Sequence, residues 1–300
     1  MRRILLTGVT GQVGQELQRT LAPLGEVIGV GRKTMDLASS KSIRQVIGEV
    51  KPDWIVNASA YTAVDKAETE TELANSVNAV APTIMAEEAQ QRGATLFHIS
   101  TDYVFDGRKN TPYTEQDATN PLSVYGQSKL AGEQGIRATE ATHIILRTAW
   151  VYGTHGKSNF VKTMLRLFAE RDEVRVVADQ VGTPTWASDI AQTITTLLSQ
   201  FSQEQSLGVS RQEIYHFTNS GVASWYDFAV AILEEAKLLG YPLKVQRIVP
   251  ITTSEYPTPA HRPPYSVLSG KKISAVLGTH PSHWRQGLRH MLVEFSSYTL

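Results

Sequence analysis

Tyr125-Gly-Gln-Ser-Lys129 places a phenol and an ammonium four residues apart. On a helix that spacing puts both side chains on one face, one turn apart. Such pairs are common on solvated helices, so the spacing alone decides nothing. Two other segments give it meaning. Gly8-Val-Thr-Gly11-Gln-Val-Gly14 is a glycine-rich turn near the N-terminus, and Ser100-Thr101-Asp102 follows an apolar run. Free tyrosine, with a pKa of about 10, is a weak acid at neutral pH. A lysine ammonium one turn away favours the phenolate, so Lys129 is expected to lower the Tyr125 pKa. Tyr125 can then give a proton to a carbonyl oxygen. Thr101, at the carboxyl end of a buried strand, can hold that oxygen through its hydroxyl. Ser100 is an alternative, with capping of the strand end as its competing role.

The glycines say what would lie beside this pair. Arg3–Thr7 reads as a strand, and Gly8, Gly11 and Gly14 open the helix Gln12–Leu21. Glycines there allow a tight turn, close approach to a pyrophosphate and close packing of helix on strand. The phosphates face the helix N-terminus, with Gln12 and Val13 beside them. At the end of the second strand an acidic residue would bind the ribose 2′-hydroxyl of NAD. The chain has Arg32-Lys33 instead, which suits a 2′-phosphate. NADPH is therefore expected over NADH, against the alternative of two solvated cations. The G-x-x-G-x-x-G spacing, led by Thr7, resembles the extended short-chain dehydrogenases/reductases. The resemblance implies that Asp36 and Leu37 lie at the adenine. It also implies that Ala60, Tyr61 and Thr62 line the cofactor near its ribose and nicotinamide, and that Lys129 bonds that ribose.

These residues need a scaffold. Strands at Arg3–Thr7, Glu26–Val30, Trp54–Asn57, Thr95–Ile99 and Thr142–Leu146 alternate with helices at Gln12–Leu21, Ser42–Val50, Ala79–Gln91 and Val124–Ile136. That alternation predicts an α/β fold with a Rossmann-type, doubly wound parallel sheet over residues 1–150. After Trp150 the pattern becomes irregular. Helices are expected at Phe160–Ala169, Ser188–Leu198 and Trp225–Leu239, the last opened by a capping box at Ser224 and Asp227. Strands are expected at Val174–Val177, Glu213–Phe217 and Lys244–Ile248, with an exposed loop at Gln200–Gln212. Residues 151–300 read mainly as a smaller α+β substrate-binding cap, with some segments returning to the first domain. Tyr256–Pro264 is proline-rich and cannot be helical.

Composition narrows the class. Lys+Arg and Asp+Glu both number 29, so no general attraction to nucleic acid or anionic membrane is expected. There are no cysteines, which excludes disulfides, thiolate nucleophiles and cysteine-bound zinc. The N-terminal apolar run is too short for a signal peptide, and no run is long enough to span a membrane. The chain reads as soluble and cytoplasmic.

Longer strings are more specific. Ser100-Thr-Asp-Tyr-Val-Phe-Asp-Gly107, Asn120–Glu133 and Arg147-Thr-Ala-Trp-Val-Tyr-Gly153 resemble the dTDP-4-dehydrorhamnose reductase family. So do Asn57–Glu68, Asp179–Thr185 and Tyr256–Ala260, and the match runs nearly end to end. The resemblance implies reduction of the 4-keto group of a dTDP-4-dehydro-6-deoxy sugar, with Tyr125 and Lys129 as the catalytic pair. It implies that Thr101, Asp102 and Trp150 contact the sugar. On chemical grounds Asn159 and Arg262 suit the diphosphate, and Thr183 offers a hydroxyl on a stiff loop. Arg262 is the best phosphate candidate, because its planar fork matches phosphate oxygens. Some relatives bind Mg²⁺ through glutamates at a dimer interface. Glu16 and Glu294 match two of these, but Ser188 stands where such relatives carry a third. A shared Mg²⁺ site is therefore not expected, and a homodimer is left open. A 4,6-dehydratase would need Asp-Glu after the threonine, whereas Asp102-Tyr103 follows here. A non-catalytic binding subunit of the same fold is the remaining alternative.

Overall fold

The computed structural model describes residues 1–205 and 211–299. The apolar runs of the first half form five strands: β1 (Arg3–Thr7), β2 (Glu26–Val30), β3 (Trp54–Asn57), β4 (Thr95–Thr101) and β5 (His143–Thr148). A sixth, β6 (Gln212–His216), comes from the second half. Their order is β6-β5-β4-β3-β1-β2, and every pairing is parallel. Side chains alternate between two buried faces, as a covered parallel sheet requires. Ile4, Leu6, Phe97 and Leu146 face the helices Gln12–Leu21 and Ala187–Gln205. Leu5, Ile55, Leu96 and Ile145 face Ser40–Val50, Ala81–Arg92 and Val124–Arg137. The order reverses between β1 and β3, which opens a crevice at their carboxyl ends.

A second core lies beyond those ends. It gathers Phe168 from Phe160–Glu170, Phe228 and Ile232 from Trp225–Leu238, and Leu288 and Met291 from Trp284–Thr299. The predicted capping box is present: the Asp227 N–H donates to Ser224 Oγ at 3.0 Å, and the Ser224 N–H to Asp227 Oδ2 at 2.9 Å.

Several elements differ from expectation, and helices Lys271–Leu277 and Trp284–Thr299 were not expected at all. Helix Ala187–Gln205 runs six residues into the segment read as the exposed loop Gln200–Gln212. Its buried stripe of Ile190, Ile194, Leu197, Leu198 and Phe201 continues beneath a polar outer face. Residues 206–210 lie outside the described residues, and Gln212 already belongs to β6. The strand expected at Lys244–Ile248 spans Arg247–Ile251. Its start is delayed because Lys244 and Val245 donate their N–H groups to Phe168 O, at 2.8 and 3.0 Å. Helix Ala81–Arg92 is preceded without a break by Thr71–Asn75 and a π-turn at Ser76–Val80.

Candidate active site

The crevice is a cleft of about 910 Å³. Its floor is the glycine turn. Gly8 has φ +74°, and a Cβ there would lie 2.6 Å from Ala58 O at the end of β3. A Cβ on Gly14 would lie 2.0 Å from Gly8 O, so only glycine lets the helix seat on the turn. Gly14 itself works from beneath and does not line the cleft. Gly11 is the N-cap of Gln12–Leu21 and brings no side chain to the first-turn amides, which leaves them to an anion. Gly8, Gly11, Gln12 and Val13 line the cleft here. Arg32, Asp36 and Leu37 line it at the end of β2, and Ala60, Tyr61 and Thr62 after β3. Arg32 is exposed and makes no ion pair among the described residues.

Sequence reasoning missed what holds the second wall. The π-turn places Asn78 inward, nearly fully buried. Its Oδ1 accepts from the Tyr61 N–H at 2.8 Å. Its Nδ2 donates to Tyr61 O at 3.1 Å and to Ser128 Oγ at 3.0 Å. One carboxamide thus joins the Tyr61 loop to the helix that carries Tyr125 and Lys129. Insertion of a residue into a helix is a recurring mark of functional sites.

That helix, Val124–Arg137, starts at Ser123, whose Oγ accepts from the Gly126 N–H at 3.2 Å. A Cβ on Gly126 would lie 2.3 Å from Tyr103 O, so glycine lets the helix start close against the end of β4. Tyr125 thereby comes beside Thr101, whose hydroxyl favours its phenolate. The Thr101 hydroxyl also donates to Asp102 Oδ1 at 3.1 Å. Thr101, Asp102, Tyr125, Lys129 and Trp150 all line the cleft. Ser100 takes a different role: its hydroxyl donates to Glu133 Oε1 at 2.5 Å. Thr101 is left as the hydroxyl beside Tyr125. Glu133 is held in turn by Arg147 of β5, with Nη2–Oε2 at 2.6 Å and Nε–Oε1 at 2.9 Å.

The electrostatics correct one expectation. Burial pushes the Tyr125 phenol up to about 12, with the Asp102 charge adding to the rise and the Thr101 bond opposing it. Lys129 does not lower it, because the Lys129 ammonium is turned inward. Its Nζ donates to Ile99 O at 2.7 Å and lies 3.1 Å from His98 Nε2. Burial lowers Lys129 itself to about 8, with Glu133 opposing. Asp102 is pushed up to about 6 by burial, with the Ser266 and Thr101 hydroxyls opposing, and its Oδ2 makes no hydrogen bond among the described residues. Thr148 Oγ1, also on the cleft, has none either. These two buried atoms mark where a ligand's polar groups would be received.

Trp150 adopts φ +47°, a left-handed conformation that is costly for a bulky residue. Its indole stacks on Trp225 with ring centroids 3.5 Å apart and planes 5° from parallel. The second core thus fixes the cleft's far wall.

The two diphosphate candidates, Asn159 and Arg262, and the loop hydroxyl of Thr183 stand outside the cleft lining. Asn159 caps Phe160–Glu170 and donates to Gln12 Oε1 at 2.7 Å and Gly153 O at 2.8 Å. The Thr183 hydroxyl donates to Gly221 O at 3.0 Å. Arg262 forks onto Asp65, with Nη1–Oδ1 at 3.0 Å and Nη2–Oδ2 at 2.8 Å. Glu16 and Glu294 do converge, joined by His155, which the sequence reading passed over. The His155 Nε2 lies 3.7 Å from Glu16 Oε1. Two carboxylates and an imidazole do not make the oxygen set that Mg²⁺ prefers.

The family described as "RmlD substrate binding domain" matches residues 1–297. A dTDP-4-dehydrorhamnose reductase of Burkholderia thailandensis is 44% identical over 94% of this chain and 95% of that protein. The protein of the same name in Escherichia coli strain K12 is 42% identical over 99% of each. The solved dTDP-4-dehydrorhamnose reductase of Bacillus anthracis, in complex with NADP, superposes with a TM-score of 0.85 at 36% identity, covering 98% of this chain and 99% of that one. A UDP-glucose 4-epimerase from Thermus thermophilus, at 22% identity, shares the fold. With agreement from end to end in sequence and in structure, the chain belongs to the RmlD substrate binding domain family, among proteins named dTDP-4-dehydrorhamnose reductase.

Proposed function

We propose that this chain reduces the 4-keto group of dTDP-4-dehydro-L-rhamnose to give dTDP-L-rhamnose, with NADPH as the preferred cofactor. The observation that carries the reading is Tyr125 beside Thr101 on a cleft floored by the glycine turn. The residues present fit a dinucleotide. Gly8 and Gly14 leave a cradle that a Cβ would fill, and Arg32 is a cation without an ion-pair partner among the described residues, set to meet a 2′-phosphate. When bound, the cofactor supplies the hydride that reaches the ketone carbon.

The chain's own residues do the rest. Tyr125 carries its proton at the hydroxyl, since burial keeps the phenol undissociated, and gives it to the ketone oxygen. Thr101 orients that hydroxyl. Lys129, one helical turn from Tyr125 and turned inward onto Ile99 O, adds a positive charge behind the site only when it is protonated. Asp102 and Thr148 offer buried polar atoms to the sugar, and the Trp150–Trp225 stack walls the site against water. Residues 1–150 would hold the cofactor and residues 151–300 mainly the sugar nucleotide. We take the enzyme to be cytoplasmic, with no nucleic-acid or membrane partner and with a homodimer open to test. Balanced charge supports this, and among the described residues no helix is long and apolar enough to cross a membrane.

Purified protein given NADPH and the 4-keto-6-deoxy sugar nucleotide should consume the reduced cofactor, followed by absorbance. No consumption would refute the reading. Tyr125→Phe should lose about 10²–10⁴-fold in kcat while still binding cofactor; full activity would remove Tyr125 from the chemistry.

A further inference from the structure

His98 lies in β4, directly beneath Lys129, and both are almost completely buried. Its hydrogen bonds can be assigned from the inventory of donors around it. The Ser59 N–H can only donate, and it meets Asn57 Oδ1 at 3.2 Å. The Thr7 hydroxyl donates to the same oxygen at 2.8 Å. The amide orientation of Asn57 is thereby fixed, and its Nδ2 faces His98 Nδ1 at 3.0 Å. An amide NH₂ only donates, so His98 Nδ1 must accept. A neutral imidazole that accepts at Nδ1 carries its proton at Nε2. That N–H points at Lys129 Nζ, 3.1 Å away. An ammonium has no lone pair to receive it, whereas an amine has one, and the amine can still donate to Ile99 O at 2.7 Å.

We propose that His98 is a positioning residue of the active site: Asn57 holds it in the form protonated at Nε2, and that N–H selects the uncharged amine of Lys129. This deepens the proposed reaction and rests on it only in the kinetic arm of the test below. Its effect is to make Lys129 a group that changes charge near neutrality rather than a permanent cation.

The surroundings agree. Burial lowers both Lys129 and His98, and for His98 the Lys129 charge and His143 of β5 add to the fall. On its own helix Lys129 is faced by Glu133, which favours the ammonium. Glu133 is largely engaged by Arg147 and Ser100. From the segment after β4, Asp102 and Tyr103 act on the Tyr125 side of the site.

NMR on the full, unligated chain with labelled histidine and lysine tests the proposal without any turnover. His98 should show the Nε2-protonated form, and Lys129 should titrate at least about one pH unit below an exposed lysine. Asn57→Asp replaces the donor at Nδ1 with an acceptor of the same shape. The His98 proton should move to Nδ1, Nε2 should accept from the ammonium, and the Lys129 titration should rise by about one pH unit or more. That is a tenfold gain in ammonium at a given pH above the titration. In His98→Gln the side-chain oxygen can meet the ammonium, and the titration should rise likewise. In the kinetic arm, the alkaline limb of kcat/KM should move to higher pH in both variants. A purely structural role would lower kcat without moving that limb. Wild-type His98 protonated at Nδ1, or a Lys129 titration that neither variant moves, overturns the proposal. If no turnover is found but the NMR shifts appear, the reaction assignment fails and the His98 assignment stands.

Discussion

Glu133→Gln tests the buried ion pair that anchors the helix carrying Tyr125 and Lys129. The carboxylate is 1% exposed and Arg147 3%. Three contacts join them, at 2.6, 2.9 and 3.2 Å, and Ser100 adds a fourth bond to the same carboxylate. The amide of glutamine keeps the shape and some of the bonding but removes the charge. Arg147 then remains as a buried cation without a counter-ion. Breaking one partner of a buried pair costs about 3–5 kcal/mol. For a chain of this size, that corresponds to a fall in Tm of roughly 5–8 °C. Replacing both residues with apolar ones, Glu133→Leu with Arg147→Met, removes the stranded charge and should recover a large part of the loss. Thermal unfolding followed by circular dichroism, arranged as a double-mutant cycle, reads both effects. A fall of under ~2 °C for Glu133→Gln, or a double variant no more stable than the sum of the singles predicts, would show that the pair does not hold the helix.

Arg32→Ala should raise the KM for NADPH by roughly 10- to 100-fold, the loss of one or two charge-assisted bonds, and leave the KM for NADH within about twofold; steady-state kinetics with both cofactors decide it. Gly14→Ala puts a methyl 2.0 Å from Gly8 O, so the helix must lift from the turn. Cofactor binding by fluorescence titration should weaken by at least about tenfold, as phosphate contacts depend on that seating. Asp102 is pushed from 3.8 up to about 6, so the folded state holds its proton more tightly than the unfolded chain does. Its ionisation therefore erodes stability as pH rises from about 4 through about 6. Asp102→Asn should gain more, relative to wild type, at pH 8 than at pH 4, by up to ~3 kcal/mol in chemical denaturation; an equal effect at both values would place the carboxyl in a wetter setting.

Much of the site was legible because its signals are local. The glycine turn sits where a strand meets a helix, and Tyr125 and Lys129 are one turn apart, so spacing alone brings them together. Helices Gln12–Leu21, Phe160–Glu170 and Trp225–Leu238 were placed within a residue or two. What escaped depends on distant partners. Nothing near His98 announces that Asn57, 41 residues earlier, sets its tautomer. The Trp150–Trp225 stack and the Glu133–Arg147 pair likewise join separate elements. The helical end at Gln200–Gln205 was misread because its exposed face is polar, and the buried Phe201 is too lone a signal. The π-turn at Ser76–Val80 has no compositional mark, so Asn78 was passed over with it. The lowering of Tyr125 by Lys129 failed as an expectation because spacing does not show which way a long side chain turns.

Strand order also constrains how the chain is made. β6 closes the sheet against β5 only after some sixty intervening residues, which carry part of the second core, have been added. Helix Ala187–Gln205, which covers Ile4, Leu6 and Phe97, is made equally late. A nascent chain that has emerged only through β5 therefore carries a sheet with one apolar face covered by Gln12–Leu21 alone and an open edge. Vectorial synthesis cannot complete the first half before the second, so the interval between residues 150 and 216 is when the growing chain most needs protection from aggregation.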